Sequence, residues 1–268
     1  MAELACLDGR IALAEETYVP ATDEGLLRGD GVFEVVRVYD GAPFALDSHL
    51  ERFQRSAANL RLELPSVDMI RDEALTLIEE RGGSFDGIVR ILVTRGGRRL
   101  ILTEPLPASS TAATITLGVV TYSPPRVLDN IKSLSYAGNM LAGRLAHERG
   151  FDEALLVTPH GRVLEAPTSS IFWVDTQGTL CTPPLDEHIL PSITRERVLR
   201  VCQVEERAAT LADIRDATEA FLASTTREVQ AVAAIEEGEL PGAPGERTRS
   251  AAQALRSHIE DELQAVRA

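Results

Sequence analysis

The chain has 268 residues, with 27 Lys+Arg against 41 Asp+Glu, a formal charge of −14, 44% apolar content and a mean hydropathy of −0.04. That length supports one large domain or two smaller ones with real cores, and the apolar content excludes a disordered chain. No stretch approaches the roughly 20 apolar residues of a membrane span, and the acidic balance with scattered arginines excludes the basic stripe of a nucleic-acid binder.

The opening Met1–Arg10 is acidic and mixed, unlike a secretory leader. Residues 30–38 are rich in β-branched types and predict a strand leading into the turn Tyr39-Asp40-Gly41. Leu50, Phe53, Ala57 and Leu60 recur at helical spacing, predicting a helix from about Ser48 to Leu60. A second helix is expected from Val67 to Arg81, stopped by Gly82-Gly83, then a strand from Ile88 to Thr94. Residues 95–99 read as a polar, Arg-rich loop, and Ala113–Tyr122 as a further strand. Ser123-Pro124-Pro125-Arg126 reads as a linker, because Pro-Pro continues neither a helix nor a central strand. A helix over Asn139–Arg149 follows. Short apolar runs come next (Glu153–Val157, Ile171–Val174, Leu180–Thr182, Ala220–Ala223 and Glu228–Val232), with helices over Ile193–Val204 and Thr248–Val266. The second half is therefore expected to be β-rich with a few helices outside.

The basic residues are the most informative count. All but one of the 27 are arginine, and the exception is Lys132. A compositional bias explains arginine wherever a positive charge suffices, but not the surviving lysine. A lysine amine can lose its proton and condense with a carbonyl, which an arginine cannot do. Three cysteines, Cys6, Cys181 and Cys202, share no close spacing, as in a reducing cytoplasm rather than a disulfide framework or zinc site.

Lys132 lies in Asn130-Ile-Lys-Ser-Leu-Ser-Tyr136. Downstream follow Gly161-Arg-Val-Leu-Glu165-Ala-Pro-Thr-Ser-Ser170-Ile-Phe-Trp-Val, then Leu190-Pro-Ser-Ile193-Thr194-Arg, then Phe221-Leu-Ala-Ser224-Thr225-Thr-Arg-Glu-Val. Upstream stand Arg28-Gly-Asp-Gly-Val-Phe33-Glu-Val-Val-Arg-Val-Tyr-Asp-Gly41 and Leu46-Asp-Ser-His-Leu-Glu-Arg52. This ordered set resembles the class IV, fold-type IV pyridoxal-phosphate (PLP) enzymes over nearly the whole chain. That superfamily includes D-amino-acid and branched-chain aminotransferases, (R)-selective amine transaminases and 4-amino-4-deoxychorismate lyase.

The resemblance implies an α/β (α+β) fold with a small α/β N-terminal domain over 1–120, a linker over 121–130, and a larger, β-barrel-like PLP-binding domain over 131–268. It implies PLP as cofactor, an amino donor and a 2-oxo acid acceptor as substrates, and a cytoplasmic homodimer with no membrane or nucleic-acid partner. Lys132 matches the Schiff-base lysine and proton carrier. Glu165 matches the carboxylate that keeps the pyridine nitrogen protonated. Ile193 and Thr194, opening a helix, match the phosphate cradle, and Ser192 reads equally as an ordinary N-cap. Ser224 and Thr225 match a second phosphate-contacting pair, Arg52 the charged phosphate contact, Tyr136 a tyrosine near the Schiff base, and Leu190 an apolar cover for the ring.

Substrate choice is less legible. The strand Val89-Arg-Ile-Leu-Val-Thr94 lacks the Tyr-x-Arg of branched-chain enzymes. Val93-Thr-Arg-Gly96 resembles D-amino-acid aminotransferases, whose carboxylate trap nevertheless has Tyr where Phe33 stands and an Arg-x-His in the next loop, here Gly97-Arg-Arg-Leu100. Phe33 donates no hydrogen bond. Arginine forks are the alternative carboxylate ligands: Arg28 and Arg90 foremost, then Arg98, with Arg99 read as surface. The leading expectation is a transaminase for a D-amino acid or related (R)-amine. The alternatives are aminodeoxychorismate lyase, a branched-chain aminotransferase and, remotely, a cofactor-free scaffold.

Overall fold

A computed structural model describes residues 2–108, 112–240 and 242–267, the last two by backbone alone. The chain forms two compact units. One comprises 1–106, 130–136 and 262–268, and the other 107–129 and 137–261.

The first unit contains strands β1 (Leu4–Leu7) and β2 (Arg10–Leu13), helix α1 (Glu24–Arg28), β3 (Gly31–Tyr39), β4 (Ala42–Pro43), helices α2 (Leu46–Asn59) and α3 (Val67–Arg81), then β5 (Gly87–Thr94) and β6 (Arg99–Glu104). Its six strands form one antiparallel sheet in the order β2-β1-β6-β5-β3-β4. Asp40 and Gly41 both have positive φ, making the tight β3–β4 turn that the sequence predicts. Strand periodicity sends Val32, Val36, Val89, Ile91, Val93 and Ile101 to one face. There they pack with Leu50, Phe53 and Ala57 of α2 and Ile70, Ala74 and Leu77 of α3. Each fully buried Val, Leu, Ile or Phe among them contributes about 1.5–3 kcal/mol.

The second unit contains β7 (Thr114–Thr121), α4 (Ala137–Glu148), β8 (Glu153–Val157), β9 (Ser170–Val174), β10 (Leu180–Thr182), α5 (Ile193–Val201), β11 (Glu205–Glu206), α6 (Leu211–Arg215), β12 (Glu219–Ser224), β13 (Glu228–Ile235), β14 (Gly238–Glu239) and most of α7 (Glu246–Arg267). Its strands run β11-β10-β9-β12-β13-β7-β8, with β14 beside β13, in a mixed sheet shaped as a half-barrel. β7 pairs β8 and β13 in parallel, and α4 connects β7 to β8. Its inner face buries Trp173, Leu155, Leu222 and Val232 together.

These units do not follow the expected division into 1–120, 121–130 and 131–268. β7 lies before residue 121 but belongs to the second unit through its pairing with β8 and β13. Residues 130–136 lie inside or beyond the expected linker but belong to the first unit, through an antiparallel bridge between Ser133 and Val32. Residues 123–129 are part of the second unit rather than a free connector. The helix expected to reach Val204 stops at Val201, and β6 begins inside the run read as an Arg-rich loop. Among the described residues no helix is long and apolar enough to cross a membrane.

Candidate active site

In the first unit the segment 130–136 lies along the start of β3. The Phe33 N–H donates to the Lys132 carbonyl at 3.0 Å, and the Leu134 N–H donates to the Gly31 carbonyl at 2.9 Å. Glycine is required at position 31, because a Cβ there would fall 2.5 Å from the Val93 carbonyl and 2.6 Å from Leu134. The Lys132 N–H donates to Ser56 Oγ on α2 at 3.1 Å. With its backbone held on both sides, Lys132 places Nζ 4.2 Å from the Phe33 ring centroid and 5.5 Å from that of Tyr136. The two rings meet edge to face at 5.3 Å. Three of the expected site residues, Lys132, Phe33 and Tyr136, are thus brought together.

The next residue, Glu34, points to the opposite face of β3 and is fully buried. Its carboxylate accepts from Arg52 Nε at 2.7 Å and Nη2 at 2.6 Å, and from His49 Nδ1 at 2.8 Å. Arg52 is therefore a buried, fork-paired cation rather than exposed helix surface. Burial acts to raise the Glu34 carboxyl, but the Arg52 and His49 contacts outweigh it and hold it at about 2. Burial first, together with the Arg52 and Lys132 charges, lowers His49 against the raising pull of the Glu34 carboxylate, so the imidazole is neutral near pH 7 and its Nδ1–H donates. Neither Glu34 nor His49 stands out in the sequence by composition or spacing. A charged residue in register with Val32 and Val36 was the available signal.

In the second unit the carbonyl of Glu165 accepts from Leu156 at 2.8 Å, and its Oε1 accepts from the Leu190 N–H at 3.1 Å. Leu190 thus meets Glu165 through its backbone. The Tyr122 hydroxyl donates to Asn139 Oδ1 at 3.2 Å, and Asn139 Nδ2 donates to the Pro167 carbonyl at 3.0 Å. Burial first, and then the Glu165 charge, raise the Tyr122 phenol. Tyr122 and Asn139 carry no sequence motif that marks them either.

Ser192 caps α5 by accepting the Arg195 N–H at 3.2 Å. The N–H groups of Ile193 and Thr194, both buried, precede the first intrahelical bond and meet no acceptor among the described residues. Ser224 and Thr225 lie at the β12–β13 turn. Ser224 Oγ accepts the Arg227 N–H at 3.3 Å, and Arg227 is anchored on Glu153 at 2.8 Å and on Gln230.

The arginines expected at the substrate are placed differently from one another. Arg28 pairs with Glu24 one turn earlier on α1, its side chain 66% exposed. Arg98 pairs with Asp8 at 2.7 Å. Arg90 makes a two-pronged contact with Glu104, its Nη2 2.9 Å from Oε2, and its guanidinium lies 5.8 Å from the Phe33 centroid. Arg90 is thereby placed beside the Lys132–Phe33 cluster. Arg99 pairs with Glu73.

Comparison with known proteins fixes the class. The amino-transferase class IV family matches residues 31–235. A D-alanine aminotransferase of Bacillus licheniformis is 32% identical over 275 residues, covering 95% of this chain and 96% of that protein. Among solved structures, a branched-chain aminotransferase from Thermoproteus uzoniensis with norvaline superposes with a TM-score of 0.89 at 26% identity, covering 97% of this chain and 95% of that one. The PLP-bound form of a hypothetical aminotransferase from Mycobacterium tuberculosis superposes with a TM-score of 0.88 at 25% identity, covering 97% and 99%. The chain belongs to the class IV aminotransferase family. It is a PLP-dependent transaminase, moving an amino group from a donor to a 2-oxo acid.

Proposed function

We propose that this transaminase takes its amino group from a D-amino acid or related (R)-amine and carries out the transfer at Lys132. One observation carries the assignment of the reacting group: the chain's single lysine is fixed by its own backbone against β3 and α2, with its amine on an aromatic face. The identity with D-alanine aminotransferases supports the substrate class.

The residues present fit PLP. The unmet N–H groups of Ile193 and Thr194, at the positive end of α5, suit a phosphate. The hydroxyls of Thr194, Ser224 and Thr225 and the charge of Arg52 are each of a kind that a phosphate takes. The Glu165 carboxylate, whose Oε1 accepts the Leu190 N–H, suits a protonated pyridine nitrogen. Leu190 offers apolar cover, and Tyr136 places a phenol beside the lysine. Bound PLP supplies the carbonyl that takes up the amino group and the electron sink that acidifies the substrate Cα.

Around it the protein's own groups position and move protons. Lys132 Nζ carries the proton at Cα. Phe33 and Tyr136 keep water from that amine and set its direction. Arg90 holds the substrate carboxylate in exchange for Glu104, with Arg28 and Arg98 further out. A homodimer is part of this reading, and sedimentation showing a fully active monomer would overturn it.

The discriminating experiment is a set of half-reactions. The yellow holoenzyme is mixed with D-alanine, D-glutamate, L-leucine, (R)-1-phenylethylamine or aminodeoxychorismate, and loss of the visible band is followed. Bleaching by a D-amino acid or the (R)-amine is expected. Bleaching by L-leucine and by no D-amino acid would give the branched-chain assignment, and pyruvate release from aminodeoxychorismate alone would give the lyase.

A further inference from the structure

We propose that Glu34, with His49, is a positioning residue for the cofactor phosphate: it holds the Arg52 guanidinium in the one orientation in which its outer edge addresses the phosphate. The inference rests on the assignment of Arg52 to the phosphate made above.

Glu34 sits between Val32 and Val36 on the face of β3 that builds the apolar core, where a leucine would pack without burying charge. A buried ion pair is a weak source of stability compared with an apolar replacement, so stability alone does not account for it. The geometry does. Arg52 Nε and Nη2 lie 2.7 and 2.6 Å from the two carboxylate oxygens, a side-on fork that fixes the guanidinium plane. Because the fork engages the Nε edge, it also sets where the end-on edge points. His49 Nδ1, one helical turn before Arg52, holds the shared oxygen Oε2 at 2.8 Å, so the carboxylate cannot rotate away. His49, Arg52 and Ser56 form one buried face of α2, and Ser56 takes the Lys132 N–H. One helix face thus indexes both the cation and the lysine.

The test measures the affinity of the full-length apoprotein for PLP and for pyridoxal, which lacks the phosphate, by the absorbance of bound cofactor. In Glu34→Gln the fork loses an oxygen. PLP affinity is expected to fall about tenfold with pyridoxal affinity unchanged. In a double-mutant cycle Glu34→Gln should add nothing to Arg52→Ala. Equal weakening of PLP and pyridoxal, or no weakening of either, overturns the proposal. If Glu34→Gln does not fold, His49 decides: His49→Leu, which removes the donor, should lower the preference for PLP over pyridoxal, and His49→Asn, which keeps one, should restore it. The absence of that contrast overturns the proposal equally. Should Arg52→Ala leave the preference unchanged, the phosphate role of Arg52 falls and this inference with it. Should Arg52→Ala lower it while Glu34→Gln does not, the inference alone falls.

Discussion

Phe33 holds Lys132 twice: its N–H donates to the lysine carbonyl at 3.0 Å, and its ring lies 4.2 Å beneath the lysine ammonium. The backbone contact fixes where the residue sits, and the ring fixes where the amine points. A cation on an aromatic face gains about 0.5–2 kcal/mol, which offsets part of the up to about 2 kcal/mol of rotamer entropy lost on ordering such a side chain.

Lys132→Ala should abolish both turnover and the yellow absorbance of the loaded protein while leaving the thermal midpoint of the apoprotein nearly unchanged. The packing of 130–136 onto β3 runs through backbone groups, which alanine keeps. Residual activity with any amino donor would remove Lys132 from the reaction.

Phe33→Tyr adds a hydroxyl to a ring that faces Lys132 and lies 5.8 Å from the Arg90 guanidinium. A new donor at that place should raise kcat/KM for D-amino acids by roughly five- to tenfold, one hydrogen bond of about 1–1.5 kcal/mol. (R)-1-phenylethylamine, which has no carboxylate, should not respond. Steady-state kinetics with the two donors decides it.

Arg90→Ala should lower kcat/KM for D-amino acids by the equivalent of roughly 2–4 kcal/mol and affect the simple amine far less. Arg28→Ala should have the smaller effect, because its side chain is exposed and already paired on its own helix. If Arg28→Ala proved the more damaging on the same donors, the order of the two would be reversed.

Glu165→Gln should leave the cofactor bound but slow proton transfer at Cα by roughly two orders of magnitude, since the pyridine nitrogen loses its ionic partner. A primary isotope effect with Cα-deuterated substrate should increase in this variant.

The Glu34 network makes the protein acid-sensitive. The Glu34 carboxyl is held at about 2 in the folded chain, below its ordinary 4.5. Its contribution is complete above about pH 4.5 and lost as pH falls toward 2, a change of roughly 3 kcal/mol. His49, lowered from 6.5, acts in the same direction at higher pH: the unfolded chain takes up a proton there that the folded one refuses. Urea midpoints measured from pH 7 to pH 3 should fall, and Glu34→Gln should flatten the part below pH 4.5.

The elements legible in the sequence are those with a long apolar period or a clean stop. α2 and α3 fall within two residues of expectation, because Leu50, Phe53 and Ala57 repeat and Gly82 ends the run. β1 and β2 are four residues each, too short for alternation to register, and β6 begins at an arginine whose partner, Glu73, is far away in the chain. Lys132 was legible because composition isolated it. Glu34 was not, because its charge is neutralised by residues on another element, and sequence spacing does not show which face of β3 meets α2. The arginines expected at the substrate were the least legible. Asp8 and Glu104 hold Arg98 and Arg90 through sheet pairing, and only the Arg28–Glu24 pair is visible as a helical spacing.

Because the lysine segment is hydrogen-bonded to the start of β3, roughly a hundred residues earlier, the lysine is not part of the ribosome's first product. Residues 1–106 can emerge and pair into their sheet while the amine they will orient is still untranslated. It then arrives as a late insertion whose closure entropy grows only slowly with the intervening length. A nascent chain stopped before residue 130 would carry the Phe33 ring and the Arg52 fork with no lysine to orient. The lysine is therefore set in place by the delivery of seven residues, after the framework that receives them already exists and while Glu165, Thr194 and Ser224 are still to come.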